Sequence, residues 1–235
     1  MNRVEVIKKR LQAESSEANL TTKNFFKTGQ GDYAEHDQFI GVKVPLLRIL
    51  SKEFSELSLN EIQELLKSAI NEERLLALLI LVRQYQQADP KTKDLLYIFY
   101  MQNLQCVNNW NLVDSSAYLI LGAHIFDKDQ SVLLKLAYSQ ILWERRIAIV
   151  ATLYFIRNNK FDWTLKIALI LLNDQHDLIH KAVGWMLKEV GKKDQKTLVM
   201  FLDQHAVRMP SIMLRCAIEK LPTEQRKMYL RVKAG

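Results

Sequence analysis

Apolar positions along the chain recur at the three- and four-residue intervals of helices, and most apolar stretches run well past strand length. With caps and breakers added, the pattern predicts helices near 2–14, 17–27, 44–55, 59–69, 72–87, 91–103, 114–126, 130–138, 140–158, 162–173, 177–191, 194–205, 210–220 and 223–231. Ser58, Asn71, the Asp89-Pro90 pair and Asp174 supply starts, because a side-chain oxygen or a proline ring answers the orphan N–H groups of a first turn. One stretch interrupts the helices, Lys27 to Pro45. There Gly29, Gly31 and Gly41, with alternating Phe39, Ile40, Val42 and Val44, predict an extended loop or a short hairpin near 28–45.

A weak pattern repeats within the helices: RLLALLIL at Arg74, RRIAIVATL at Arg145, HKAVGWML at His180 and LRCAIEKL at Leu214, with DSSAYLIL at Asp114 a looser copy. Its alanines, Ala77, Ala117, Ala148, Ala182 and Ala217, recur at an average of about 35 residues, within the range of helical solenoid repeats. A basic residue precedes the alanine in three of the copies. The expectation is an all-α fold of stacked helix pairs, curved around a concave face, as a single domain over 1–235. The plain alternative is a non-repetitive bundle in which Ala, Leu and Ile recur by composition.

Composition agrees with helices: 49% hydrophobic, 25% charged, with 7 Gly and 4 Pro as breakers. The formal charge of +7 points to a polyanionic partner such as DNA, RNA or anionic lipid, or else to plain solubility. Cys106 and Cys216 show no paired spacing, so a reducing compartment is expected and neither a disulfide framework nor a zinc motif is indicated. The N-terminal segment lacks the apolar core of a signal peptide and no segment is long and apolar enough to span a bilayer, so the expected location is cytoplasmic.

The chemistry is carried by few residues. In LIHKAVGWMLKEVGKK, Ile179, Ala182, Val183, Met186, Leu187 and Val190 form one apolar arc, whereas Trp185 falls opposite with Lys181, Lys188 and Lys192. Trp110 sits among asparagines one turn before Asp114. Indoles beside cations suit bases and phosphates. Asp114 is either a helix N-cap for SSAYLIL or a carboxylate able to stabilise an oxocarbenium-like sugar and orient water. One of Arg145 and Arg146 reads as a phosphate ligand, with an ion pair to Glu144 or to a neighbouring repeat as the other reading. His176 and His180 are spaced for a metal but lack a third ligand, so a capping and packing role is expected. Trp143 and Trp163 read as core. Phosphate-loop, nucleophile-elbow, dinucleotide-binding and CxxC motifs are absent from the sequence.

The segments NNWNLVDSSA, LWERRIAIVAT, HDLIHKAVGWMLKEVGK and RMPSIMLRCAIEKL together resemble the DNA alkylation repair family typified by the AlkD alkylpurine DNA glycosylases, over nearly the whole chain after the first helix. The resemblance implies HEAT-like repeats in a C-shaped basic trough around duplex DNA. It matches Trp110 and Trp185 to the family's cleft tryptophans, Asp114 to its catalytic aspartate and Arg146 to its phosphate-contacting arginine, and it suggests Phe25 or Phe26 for an aromatic beside the lesion. Arg145, Lys181, Lys188, Lys192 and Arg215 complete the expected DNA-facing set. The implied activity is a monofunctional glycosylase acting on N3- or N7-alkylated purines, a monomer needing neither metal nor cofactor. Lys27–Pro45 and MPSIMLR resemble relatives associated with branched DNA, so a non-catalytic DNA-structure binder is the second expectation, and a HEAT-type protein-interaction scaffold the third.

Overall fold

Helices account for the regular structure of this chain in the computed structural model, which describes residues 2–15 and 25–234 and contains no strand among them. The helix expected over 17–27 lies outside the described residues except for its end, where Phe25 and Phe26 are helical. The chain divides into two compact units, 1–116 and 117–235.

In the first unit, α1 (Arg3–Ala13) starts on Asn2, whose side chain accepts from the Val4 N–H at 3.1 Å, and buries the stripe Val4, Ile7 and Leu11. It is followed by α2 (Val44–Glu53), α3 (Leu59–Leu66), α4 (Asn71–Gln87), α5 (Pro90–Gln102) and α6 (Trp110–Ser116). Ser58 and Glu61 form a reciprocal capping box at the start of α3. Asp89 caps α5 ahead of Pro90. The centre of the unit is α4, buried from Asn71 through Leu78 and packed by α2, α3 and α6.

The second unit opens on a π-type turn, Tyr118–Gly122, in which the Gly122 N–H reaches the Ala117 carbonyl at 3.0 Å. Then come α7 (Ala123–Ile125), α8 (Ser131–Ala137), α9 (Leu142–Ala151), α10 (Leu153–Arg157), α11 (Asp162–Ile170), α12 (Asp177–Lys193), α13 (Gln195–His205), α14 (Ser211–Ala217) and α15 (Thr223–Ala234). Helix α12 is central here, and the apolar arc expected from its sequence is fully buried. At Gly184 the α14 backbone comes so close that an added Cβ would meet the Met213 carbonyl oxygen at 2.5 Å.

The repeat has a structural signature at its helix starts. Ser68 accepts from the Ile70 N–H at 3.0 Å with its hydroxyl, while its carbonyl accepts from Arg74 Nη1 at 2.8 Å and the guanidinium pairs with Asp37. The same clasp recurs with Ser139, Ile141 and Arg145, at 3.0 Å for both bonds, and there Arg145 pairs with Asp174 at 2.6 Å. A third copy uses Asp174, whose carboxylate accepts from the His176 N–H at 2.8 Å and whose carbonyl accepts from His180 Nε2 at 2.5 Å. These starts stand at multiples of about 35 residues. At Arg74, Arg145 and His180 the basic residue ahead of the alanine is therefore a structural clasp, and all five alanines are buried.

Several expectations are corrected. Of the extended loop or short hairpin expected near 28–45, the described residues form the loop; Gln38 makes a single parallel bridge to Ile70, and Asp37 is drawn into the polar cluster described below. The helix expected from 114 starts at Trp110, since Asn109 accepts from the Trp110 N–H with its side chain and from Leu112 and Val113 with its carbonyl. The helix expected over 140–158 breaks at Thr152, whose hydroxyl donates to the Ile149 carbonyl at 2.6 Å. Trp143 and Trp163 are half-buried rather than core, and Lys166 Nζ stands 4.6 Å from the Trp163 ring.

Candidate functional site

Helix α6 has two faces. Leu112, Val113 and Ser116 are buried, with the Ser116 hydroxyl 3.1 Å from the buried Tyr100 hydroxyl. Trp110, Asn111, Asp114 and Ser115 remain half-exposed, which places Trp110 and Asp114 one turn apart on the same accessible side. Because the helix begins at Trp110, Asp114 is an interior residue of α6 rather than its N-cap.

Trp110 is held by rings. Its plane stacks on Phe26 at 5.1 Å and 13°, Phe26 stacks in turn on Phe39 at 4.4 Å and 23°, and Phe25 meets Trp110 edge-on at 5.3 Å. Phe25 is 63% exposed. Both aromatics suggested by the resemblance thus lie beside Trp110.

Beneath this ladder is a buried polar cluster that the sequence reading missed. Asp37 pairs with Arg74 and accepts from Asn71 Nδ2 at 2.9 Å and Asn109 Nδ2 at 2.7 Å, while Asn111 donates to Asn71 Oδ1 at 2.7 Å. Since Asn109 also caps Trp110, the cluster fixes where α6 begins. Next to it Glu72, 6% exposed, accepts from the N–H groups of Ile40 and Gly41, and burial pushes its carboxyl above the usual range. The signal available in sequence was Arg74 at the head of the unbroken apolar run LLALLILV, where a buried guanidinium demands a carboxylate partner without saying which one.

In the second unit Trp185 is half-exposed on α12, opposite the buried arc, and its indole N–H donates to Glu189 at 3.2 Å. The cations expected around it are paired: Lys181 with Asp177 at 3.0 Å, Lys188 with Glu219 at 2.8 Å and Lys192 with Glu189 at 2.7 Å. Lys181 and Lys192 are exposed, and such pairs are worth little, so an incoming phosphate can compete for those two ammoniums, whereas Lys188 is largely buried against Glu219. Arg145 is occupied by its clasp. Arg146 is 5% exposed, with Nη1 donating to the Leu178 carbonyl at 2.6 Å. Arg215 is exposed beside Ser211 and Lys233 at the wall of a 210 Å³ hollow. His176 caps α12 by accepting from the Leu178 N–H, and among the described residues no group of three or more acidic, His or Cys side chains is placed to hold a metal. Nor is any described helix long and apolar enough to cross a membrane.

Comparison with known proteins agrees with this picture. A similar solved structure is titled "Predicted DNA alkylation repair enzyme from Enterococcus faecalis", with 15% identity, a TM-score of 0.66, and coverage of 88% of this chain and 96% of that one. At that identity the likeness concerns the fold. Among curated proteins no match is found. The sequence model of the family described as DNA alkylation repair enzyme matches residues 7–221, and the chain therefore belongs to that family.

Proposed function

We propose that this protein is a DNA glycosylase that hydrolyses the N-glycosidic bond of N3- or N7-alkylated purines in duplex DNA, with Asp114 as the catalytic carboxylate. The observation that carries the proposal is the half-exposed α6 face bearing both Trp110 and Asp114, in a chain of the DNA alkylation repair family. Alkylation at a ring nitrogen leaves the base cationic. When the C1′–N bond breaks, its electron pair neutralises that charge, so departure requires little general-acid help. Water then bonds to C1′ and gives up its proton, leaving an abasic sugar and a neutral base. Asp114 would stabilise the positive charge that grows on the sugar and orient the water, and the Trp110 face would attract the cationic nucleotide at about 0.5–2 kcal/mol. Trp185, Lys181, Lys192 and Arg215 are proposed to face the duplex, the two exposed lysines and Arg215 by contacting phosphates, while Lys188, Arg145 and Arg146 are proposed to hold the helices that present them.

Incubating the protein with duplex carrying a single 7-methylguanine, followed by alkaline cleavage of abasic sites, tests the reading. Time-dependent strand cleavage above the protein-free background is expected. Tight duplex binding without base release would overturn the glycosylase and favour a DNA-structure binder, and base release by Asp114→Asn at the wild-type rate would remove Asp114 from the chemistry.

A further inference from the structure

Helix α12 turns a stripe of side chains away from its buried arc at successive turns: Lys181, Trp185, Glu189 and Lys192. Three of them suit a nucleic acid. Glu189 does not, because a carboxylate on that face repels phosphate. Its place toward the C-terminal end of the helix also denies it the favourable dipole that Asp177 meets in the first turn. What Glu189 does is visible in its bonds: a single oxygen, Oε1, accepts from the Trp185 indole N–H at 3.2 Å and from Lys192 Nζ at 2.7 Å. Lys192 keeps 44% of its side chain exposed, and a surface pair three residues apart is worth little. A phosphate can therefore draw the ammonium away and leave the oxygen to the indole. An N–H bonded to an anion is polarised, so electron density moves from the nitrogen into the ring and the negative face becomes more negative. A neutral acceptor does this less.

We propose that Glu189 is a positioning residue for charge recognition: bonded to the indole N–H, it fixes the orientation of Trp185 and strengthens the attraction of the ring face for a cationic nucleotide. The inference rests on the glycosylase reading above, in which Trp185 faces the duplex. Specificity follows from it. A neutral nucleotide of the same shape gains contact area from the indole but little from its charge, so the carboxylate widens the gap between alkylated and undamaged bases without touching either. Lys192 adds a link between backbone and base, since a phosphate that takes the ammonium concentrates the carboxylate on the indole.

The test uses the full chain and two duplexes whose 2′-fluoro sugar blocks base release, one carrying 7-methylguanine and the other its neutral isostere 7-methyl-7-deazaguanine, slightly below neutral pH. Wild type should bind the cationic duplex about three- to tenfold more tightly. Glu189→Gln, which retains an acceptor and loses the charge, should reduce that ratio by about twofold or more. Loss of an acid eases phosphate repulsion for both duplexes alike, so a bulk electrostatic role moves both affinities and leaves the ratio unchanged. In a Trp185→Leu background the same change should leave the ratio unaltered. The ¹⁵N–H resonance of the Trp185 indole, assigned by its loss in Trp185→Leu, should move upfield in free Glu189→Gln and further in Glu189→Leu. Should these variants not fold, Lys192→Met takes their place: with the shared oxygen freed, the resonance should move downfield and the ratio rise. A wild-type ratio of one, a ratio that survives in Glu189→Gln, a fall that persists without Trp185, or an unmoved indole resonance would overturn the proposal. Base release from ordinary 7-methylguanine duplex is measured separately: release with a ratio of one removes the role of Glu189 and keeps the reaction, whereas a Glu189-dependent ratio without release keeps the recognition and removes the reaction.

Discussion

Asp37 shows how a single loop carboxylate organises the candidate site. It neutralises Arg74 and receives the amides of Asn71 and Asn109, all of them buried. Asp37→Ala leaves the guanidinium without its charge partner, and the expected loss is about 3–5 kcal/mol in urea unfolding, the scale for breaking a buried pair. A loss below about 1 kcal/mol, as for exposed pairs, would contradict that role. Glu72 gives a pH signature. Its folded pKa is raised by burial, so between the ordinary glutamate range and the raised value the native state holds a proton that the unfolded chain has released. Stability from this site is therefore greatest on the acidic side and declines as pH rises through the window. The stability of wild type relative to Glu72→Gln should fall correspondingly; a flat difference would contradict it. At this scale the residues that face solvent out of place, Trp110, Trp185 and Asp114, were legible in sequence. Asp37 was not, because a loop residue carries no periodicity to reveal its partner, and neither was Glu189, which answers the Trp185 N–H from the next turn of the same helix.

Among the elements, the close approach of α14 to α12 depends on the missing side chain at Gly184. Gly184→Ala would place a Cβ 2.5 Å from the Met213 carbonyl and 2.7 Å from Cys216 Cβ, so the two helices must move apart. A destabilisation of about 1–3 kcal/mol is expected in chemical unfolding. An unchanged midpoint would mean that the contact is slack. Most helices were legible because the apolar stripe, the cap and the breaker agree, as at Ser58 and at Asp89-Pro90. Helix starts and interruptions were not where a side chain acts on the backbone out of pattern: Asn109 moves the start of α6 back to Trp110, and Thr152 divides α9 from α10. The clasp explains the recurring basic residue better than DNA contact does, since Arg74 and Arg145 both spend their guanidinium on a carbonyl and an aspartate.

For the molecule as a whole, the all-helical fold and the repeat period were written in the sequence, since stacked helix pairs must bury a small residue once per unit. Charge was equally visible, but not its pairing, and Lys181, Lys188 and Lys192 each face an acid. Binding to duplex DNA through such cations releases counterions, so affinity should fall steeply, roughly a hundredfold or more between 50 and 200 mM salt for several phosphate contacts. An affinity indifferent to salt would argue for a polypeptide partner instead. The central claim is that Asp114 performs the chemistry, and single-turnover release of 7-methylguanine from duplex by wild type and Asp114→Asn, with duplex affinity measured on the same samples, tests it most directly. A rate lower by about 10²–10³ at unchanged affinity is predicted, the scale for losing one charge-stabilising group; equal rates, or a loss that merely follows weakened binding, would contradict it.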